Sequence, residues 1–296
     1  LLFLSPYWYF KNGSAGLAES IPEERTYRNL FWTRIASAIV GLLLLILTLI
    51  LRGDYFYFFV MALALIAIYE YMHAFNQGGH HPGLSNGIIF TAGAFLILRF
   101  APLPWAIAFV SLSLLALFAQ YVVDKKMALD DVMITIMGYL YPSLIMLAIA
   151  WAGSNADIEW YIILLLALII AMSTDTFAYF IGLLFGKHPL VPTISPKKTI
   201  EGSIGGTLAA VGFVIAAGSL FKKHLGVDIP VIHLAVMGVL GAAAGQIGDL
   251  FASKIKRTCG IKDFGRIMPG HGGVMDRIDS VTFVFIVVAS YMAVIL

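Results

Sequence analysis

The chain has 296 residues, 60% of them hydrophobic and only 12% charged, with a formal net charge of +2 and a mean hydropathy of +0.91. Soluble domains carry about a quarter charged residues, so a soluble globular fold is excluded and an all-α polytopic integral membrane protein is expected. Nucleic acid is not an expected partner, because the charge is small and Lys and Arg gather in loops without basic, aromatic-interleaved faces. The single cysteine, Cys259, rules out an intrachain disulfide and a cysteine-built zinc site, and reads as a spare thiol.

Leu1 to Phe10 is apolar and aromatic but too short to span, and Lys11-Asn-Gly-Ser-Ala-Gly16 reads as a flexible linker. A basic region before the apolar run and an obvious cleavage site are both missing, which argues against a secretory signal. Residues 1–30 are therefore set apart as a segment either foreign to the protein or interfacial. Apolar runs of membrane-spanning length then recur at 34–51, 55–75, 86–101, 103–123, 132–152, 158–185, 203–221, 231–251 and 280–296, giving nine expected helices, the third short and interrupted by Gly93. Breakers such as Arg52-Gly-Asp54, Pro102 with Pro104, and Lys125-Lys126 divide them. The expected division is an N-terminal set of helices over 31–153 and a C-terminal catalytic region over 154–296.

With the N-terminus inside, the cytoplasmic segments hold most basic residues, including Lys187, Lys197, Lys198 and those from Lys254 to Arg277. Only Arg52, Arg99, Lys222 and Lys223 fall outside. This puts the loops 186–202 and 252–279 on the cytoplasmic face. No internal repeat or inverted pair of broken helices is evident, which weakens a transporter reading.

Polar residues concentrate between Gly248 and Asp279. Asp276 and Asp279, three apart, project from one face if a helix begins near Val274. Asp249 comes at the end of the preceding span. Three carboxylates converging there suit a hard cation such as Mg²⁺, although acids at a helix start also interact favourably with its dipole. In Pro269-Gly270-His271-Gly272-Gly273 the glycines allow backbone amides to approach an anion, and His271 is a phosphate donor, a general acid or a turn residue. Among the basic residues, which also enforce topology, Lys256, Arg257 and Lys262 lie between the acids and the glycines, where a triphosphate needs neutralising.

Upstream, Asp175 sits in an apolar span, as a site residue or hydrogen-bonded to a Thr or Tyr of a neighbouring helix. Ser195-Pro-Lys197-Lys198-Thr is a donor cluster suited to a lipid phosphate or a nucleotide, or a positive-inside loop. Glu70, in Tyr69-Glu-Tyr71, reads as paired or snorkelling. His73 falls close by, and the exposed, glycine-flanked pair His80 and His81 reads as loop rather than a metal site.

The ordered set Ser253-x-x-Lys256-Arg257, Lys262-Asp263, Gly265, Pro269-x-His271-Gly-Gly, Asp276-Arg277 and Ile278-Asp279 resembles the signature of the CDP-diacylglycerol synthase (phosphatidate cytidylyltransferase) family. Asp175-Thr-Phe-Ala-Tyr-Phe, Gly186-Lys187 and Ser195-Pro-Lys-Lys-Thr-x-Glu-Gly202 resemble its upstream block. Similarity thus covers most of the second half, while the first half matches only as hydrophobic spans. Met268 and Met172 depart from the usual Leu, Ile or Phe and the usual aromatic, both apolar and volume-tolerant changes.

The resemblance implies a nucleotidyltransferase of the bacterial inner membrane with a cytoplasm-facing site, joining CTP and phosphatidic acid to give CDP-diacylglycerol and pyrophosphate. It implies Mg²⁺ on Asp249, Asp276 and Asp279, K⁺ as a second cation, and a homodimer. Lys256, Arg257, Lys262, His271 and Asp175 are the expected catalytic residues; Ser195, Lys197, Lys198, Ser253, Gly270, Gly272, Gly273 and Arg277 are expected to hold substrate. The rival readings are a CTP-dependent polyprenol or phytol kinase and an anionic-solute transporter. A CDP-alcohol phosphatidyltransferase is disfavoured because its Asp-Gly-x-x-Ala-Arg helix is missing.

Overall fold

A computed structural model of the protein describes residues 39–154, 157–267 and 272–295. The expectations for residues 1–30, for the start of the first span, and for Gly270 and His271 fall outside the described residues. Ten helices follow in order: α1 (Ile39–Leu51), α2 (Gly53–Gln77), α3 (Leu84–Phe100), α4 (Leu103–Val123), α5 (Leu129–Gly138), α6 (Ile145–Ser154), α7 (Ile158–Phe185), α8 (Ile200–Leu225), α9 (Val231–Thr258) and α10 (Met275–Ile295). A turn of π-helix, Tyr139–Leu144, joins α5 to α6 in a single rod, Leu129–Ser154. It contains Pro142, which has no amide to donate, and the wider turn accommodates the lost hydrogen bond.

Among the described residues, seven helices are long and apolar enough to cross a membrane, while α1 and α3 are apolar but shorter. At 1.5 Å per residue α3 is about 25 Å long, just short of the roughly 30 Å hydrocarbon core. Gly93 does not interrupt it, and the glycine instead admits the Phe109 ring of α4. α4 buries only Leu117, so an apolar helix bare on nearly every side is suited to lipid rather than water. The all-helical expectation needs one addition, a two-stranded antiparallel hairpin of β1 (Pro189–Val191) and β2 (Ser195–Thr199), where a loop was expected.

Helices α7 to α10 pack on one another, α2 packs on α3 and α6, and α10 touches both groups. One buried cluster runs through both halves, from Phe56 and Phe95 to Ile170, Val214 and Val284. The α7–α8 seam depends on small residues: a β-carbon at Gly206 would stand 2.6 Å from the Thr174 carbonyl oxygen, and one at Gly202 would stand 2.5 Å from that of Ala178. Gly206→Ala is expected to cost about 1–3 kcal/mol through this overpacking, read as a lower unfolding temperature in detergent. An unchanged temperature would mean that the seam relaxes freely.

Candidate active site

Two helices run further than hydropathy indicates. α9 continues from its apolar stretch to Thr258, so Asp249, Ser253, Lys256 and Arg257 ride on one rod. α10 begins at Met275 and carries Asp276 and Asp279 in its first two turns. Gly248 lets the two rods meet closely, since a β-carbon there would lie 2.5 Å from the Asp279 carbonyl oxygen.

Asp279 is 7% exposed and accepts the Ser280 amide at 2.8 Å. The Ser280 hydroxyl in turn donates to Asp175 Oδ2 of α7 at 2.9 Å. Asp249 is half-buried, receives the Ser253 hydroxyl at 3.4 Å, and is ion-paired to Lys198 of β2. Asp175, Asp249 and Asp279 lie close enough to act on one another's charge, with Lys198, Lys256 and Arg277 as the neighbouring cations. The hairpin and α7 therefore join the α9–α10 passage at one place, as the upstream motif requires if it serves the same site. The hairpin base is fixed by Glu201, which accepts the Lys187 amide at 3.1 Å and bonds His188 Nδ1 at 2.6 Å. Thr199 caps α8 by accepting the Gly202 amide at 3.1 Å.

Asp276 faces a different set of partners. Its Oδ1 takes Lys256 Nζ at 2.6 Å, and its Oδ2 accepts the amides of Phe264 at 2.9 Å and Gly273 at 3.0 Å. This carboxylate ties α9, the loop after it and the start of α10 together. Among the described residues no group of three His, Cys, Asp or Glu side chains is disposed to hold a metal by itself. Lys256 is occupied by Asp276 and lies over the Phe264 ring at 5.5 Å. Arg257, Lys262 and Arg277 are exposed, and Arg257 donates to the Ile261 carbonyl at 3.3 Å. Ser195 is half-buried and Lys197 exposed on β2, and Gly272 adopts φ +84° beside Asp276.

Glu70, expected to be paired or snorkelling but given no place at the site, is paired across the molecule. It is 2% exposed, and its Oε2 accepts the Met275 amide at 2.9 Å, 205 positions along the chain. The available signal was a lone carboxylate within an apolar span; its partner is not readable from any local pattern. Cys259, the spare thiol, packs in the adjoining cluster with Tyr71, Phe264 and Met275, and burial pushes its thiol pKa up, so it acts as an apolar filler.

The Cytidylyltransferase family matches residues 32–295. A phosphatidate cytidylyltransferase of Staphylococcus haemolyticus is 33% identical over 265 residues, covering 85% of this chain and 95% of that protein. That of Bacillus subtilis is 42% identical over 118 residues, 40% of this chain and 42% of that protein. The Mycobacterium tuberculosis protein of the same name is 42% identical over 123 residues, 41% of this chain and 35% of its own. With a match over nearly the whole chain and a relative similar almost end to end, the chain belongs to the Cytidylyltransferase family.

Proposed function

We infer that the protein is a phosphatidate cytidylyltransferase, an integral membrane enzyme of phospholipid synthesis joining CTP and phosphatidic acid into CDP-diacylglycerol and pyrophosphate. The observation that carries the reading is the 33% identity to an enzyme of that name across 95% of the relative's length. A phosphate oxygen of phosphatidate attacks the α-phosphorus of CTP in line; the new P–O bond forms as the bond to the β-phosphate bridging oxygen breaks, and pyrophosphate leaves. The nucleophile is already anionic near neutral pH, so positioning and charge neutralisation do most of the work.

Cytidylyl transfer generally requires a divalent metal, and the donor set here fits a hard one. Asp175, Asp249 and Asp279 bring carboxylate oxygens near one another in an apolar surrounding, with Lys198 ion-paired to Asp249. Mg²⁺ characteristically takes one or two carboxylates and completes its shell with water and substrate phosphates, which suits a site without three convergent ligands. Asp249 and Asp279 are the proposed Mg²⁺ holders, with Asp276 bracing them; K⁺ is the proposed second cation. When bound, the metal supplies charge stabilisation at the phosphates. Arg257 and Lys262 neutralise the departing pyrophosphate, together with Lys256 and His271. Ser195, Lys197, Lys198, Ser253, Arg277 and the turn residues Gly270 and Gly272 hold substrate phosphates, the Gly273 amide being taken by Asp276, and Asp175 orients Ser280.

An apolar cleft of about 510 Å³ lined by Tyr141, Leu144, Phe251, Phe283 and Ile286 adjoins these residues. Phe283 follows Asp279 by four positions, one turn on along the same face of α10, and Tyr141 lies within reach of the Asp279 and Asp249 charges, which supports the cleft as the sideways entry for acyl chains. The site faces the cytoplasm of the bacterial inner membrane with the N-terminus on the same side, nine helices embedded, and the protein a homodimer. The test uses purified protein in detergent with phosphatidate, Mg²⁺ and CTP labelled at either end. Label from the α-phosphate is expected in the lipid. Label from the γ-phosphate would mean a kinase, and no lipid product would leave the transporter.

A further inference from the structure

We propose that Glu70 is a positioning residue for cytidylyl transfer: it reaches from α2 to cap α10 and thereby sets Asp276 and Asp279 against Asp249. The inference rests on the functional reading above. The first amides of a helix lack intrahelical partners and are normally met by a neighbouring Ser, Thr, Asp or Asn. α10 is preceded by Val274, which has no side-chain acceptor. Glu70 supplies the acceptor from another part of the chain, taking the Met275 amide at 2.9 Å and facing that of Val274.

The fit is built for a carboxylate. A β-carbon on Gly273 would stand 2.6 Å from the Glu70 carboxyl carbon, and one on Gly265 would also stand 2.6 Å from it. These two glycines therefore make room for Glu70. Burying a carboxylate this completely costs several kcal/mol unless donors surround it, and its Oε1 has no hydrogen-bond partner among the described residues. A local cap would hold the helix as well with less desolvation. What a cap from α2 adds is registration: the axial position and rotation of the first turn of α10 become fixed to a helix in the other half of the chain. Asp276 accepts the Phe264 and Gly273 amides, so two carboxylates from separate helices hold amides of the same turn. A misplacement of about 1 Å at reacting groups costs roughly 10²-fold in rate.

The experiment compares Glu70→Ala, Glu70→Gln and, as a stability control, Met72→Ala, a fully buried residue of the same helix that packs towards Gly87 and Gly138. Each is assayed well below its unfolding temperature for kcat, for the Mg²⁺ concentration giving half-maximal rate, and for the thermal shift produced by Mg²⁺ with CTP. Glu70→Ala is expected to lower kcat roughly 10²-fold and to raise the Mg²⁺ midpoint roughly tenfold in both rate and thermal shift. Glu70→Gln, which keeps an acceptor oxygen, is expected to recover most of both. Met72→Ala is expected to lower the unfolding temperature with both midpoints unmoved. Glu70→Ala with an unchanged kcat and midpoint, or Met72→Ala moving them as far at equal loss of stability, would overturn the proposal. If the unaltered protein forms no CDP-diacylglycerol, the functional reading fails instead, and the thermal-shift midpoints still decide whether Glu70 positions the acids.

Discussion

Asp249→Asn is expected to lower CTP-dependent formation of CDP-diacylglycerol by on the order of 10³-fold or more, since a metal's charge stabilisation is worth several kcal/mol. The fold should survive. Asp249 is half-buried, its carboxylate stands among those of Asp175 and Asp279, and the amide is nearly isosteric. Removing one negative charge from that group relieves repulsion while releasing Lys198 towards solvent, so the unfolding temperature should move by no more than about 2 °C. Near-native turnover in the purified variant would remove Asp249 from the proposed metal site.

Asp276→Ala should fail differently. Its side chain is 6% exposed and that of Lys256 is 12% exposed, so the substitution leaves a nearly buried ammonium without its anion and two amides, those of Phe264 and Gly273, without their acceptor. Breaking a buried pair from one side costs roughly 3–5 kcal/mol. Activity and stability are thus expected to fall together, with the unfolding temperature dropping by several degrees. Lys256→Met with Asp276→Asn in the same chain should recover part of the stability and none of the rate. A stable but inactive Asp276→Ala would mean that this carboxylate acts on substrate or metal rather than as a brace.

The contrast between these two aspartates marks how far the sequence could be read. Spacing of three was read as putting Asp276 and Asp279 on one face of a helix beginning near Val274, and a helix does begin at Met275 with both acids in its first two turns. Spacing carries no information about partners: Asp276 turns to Lys256, twenty positions back, whereas Asp279 lies against α9 and Ser280. Hydropathy located the long apolar helices because lipid forbids unpaired backbone, yet it tracks where apolar sequence ends, and α9 outlasts its apolar part through good helix formers such as Lys254, Lys256 and Arg257. The hairpin at 189–199 was unreadable for a related reason. Its strands are three and five residues long and are set by Glu201 and Thr199 at their base rather than by any alternation of their own. Glu70 was visible as an anomaly, and its meaning lay in Gly265 and Gly273, two glycines whose reason is a side chain from α2.

That arrangement changes what the glycine-rich turn does before any nucleotide arrives. A turn whose amides wait for substrate phosphate is ordered only at binding, and the entropy of ordering it is then subtracted from affinity. Here the amides of Gly273 and Met275 are already held by Asp276 and Glu70. The protein carries its own resident anions at this corner, so the start of α10 is held in place before any ligand arrives.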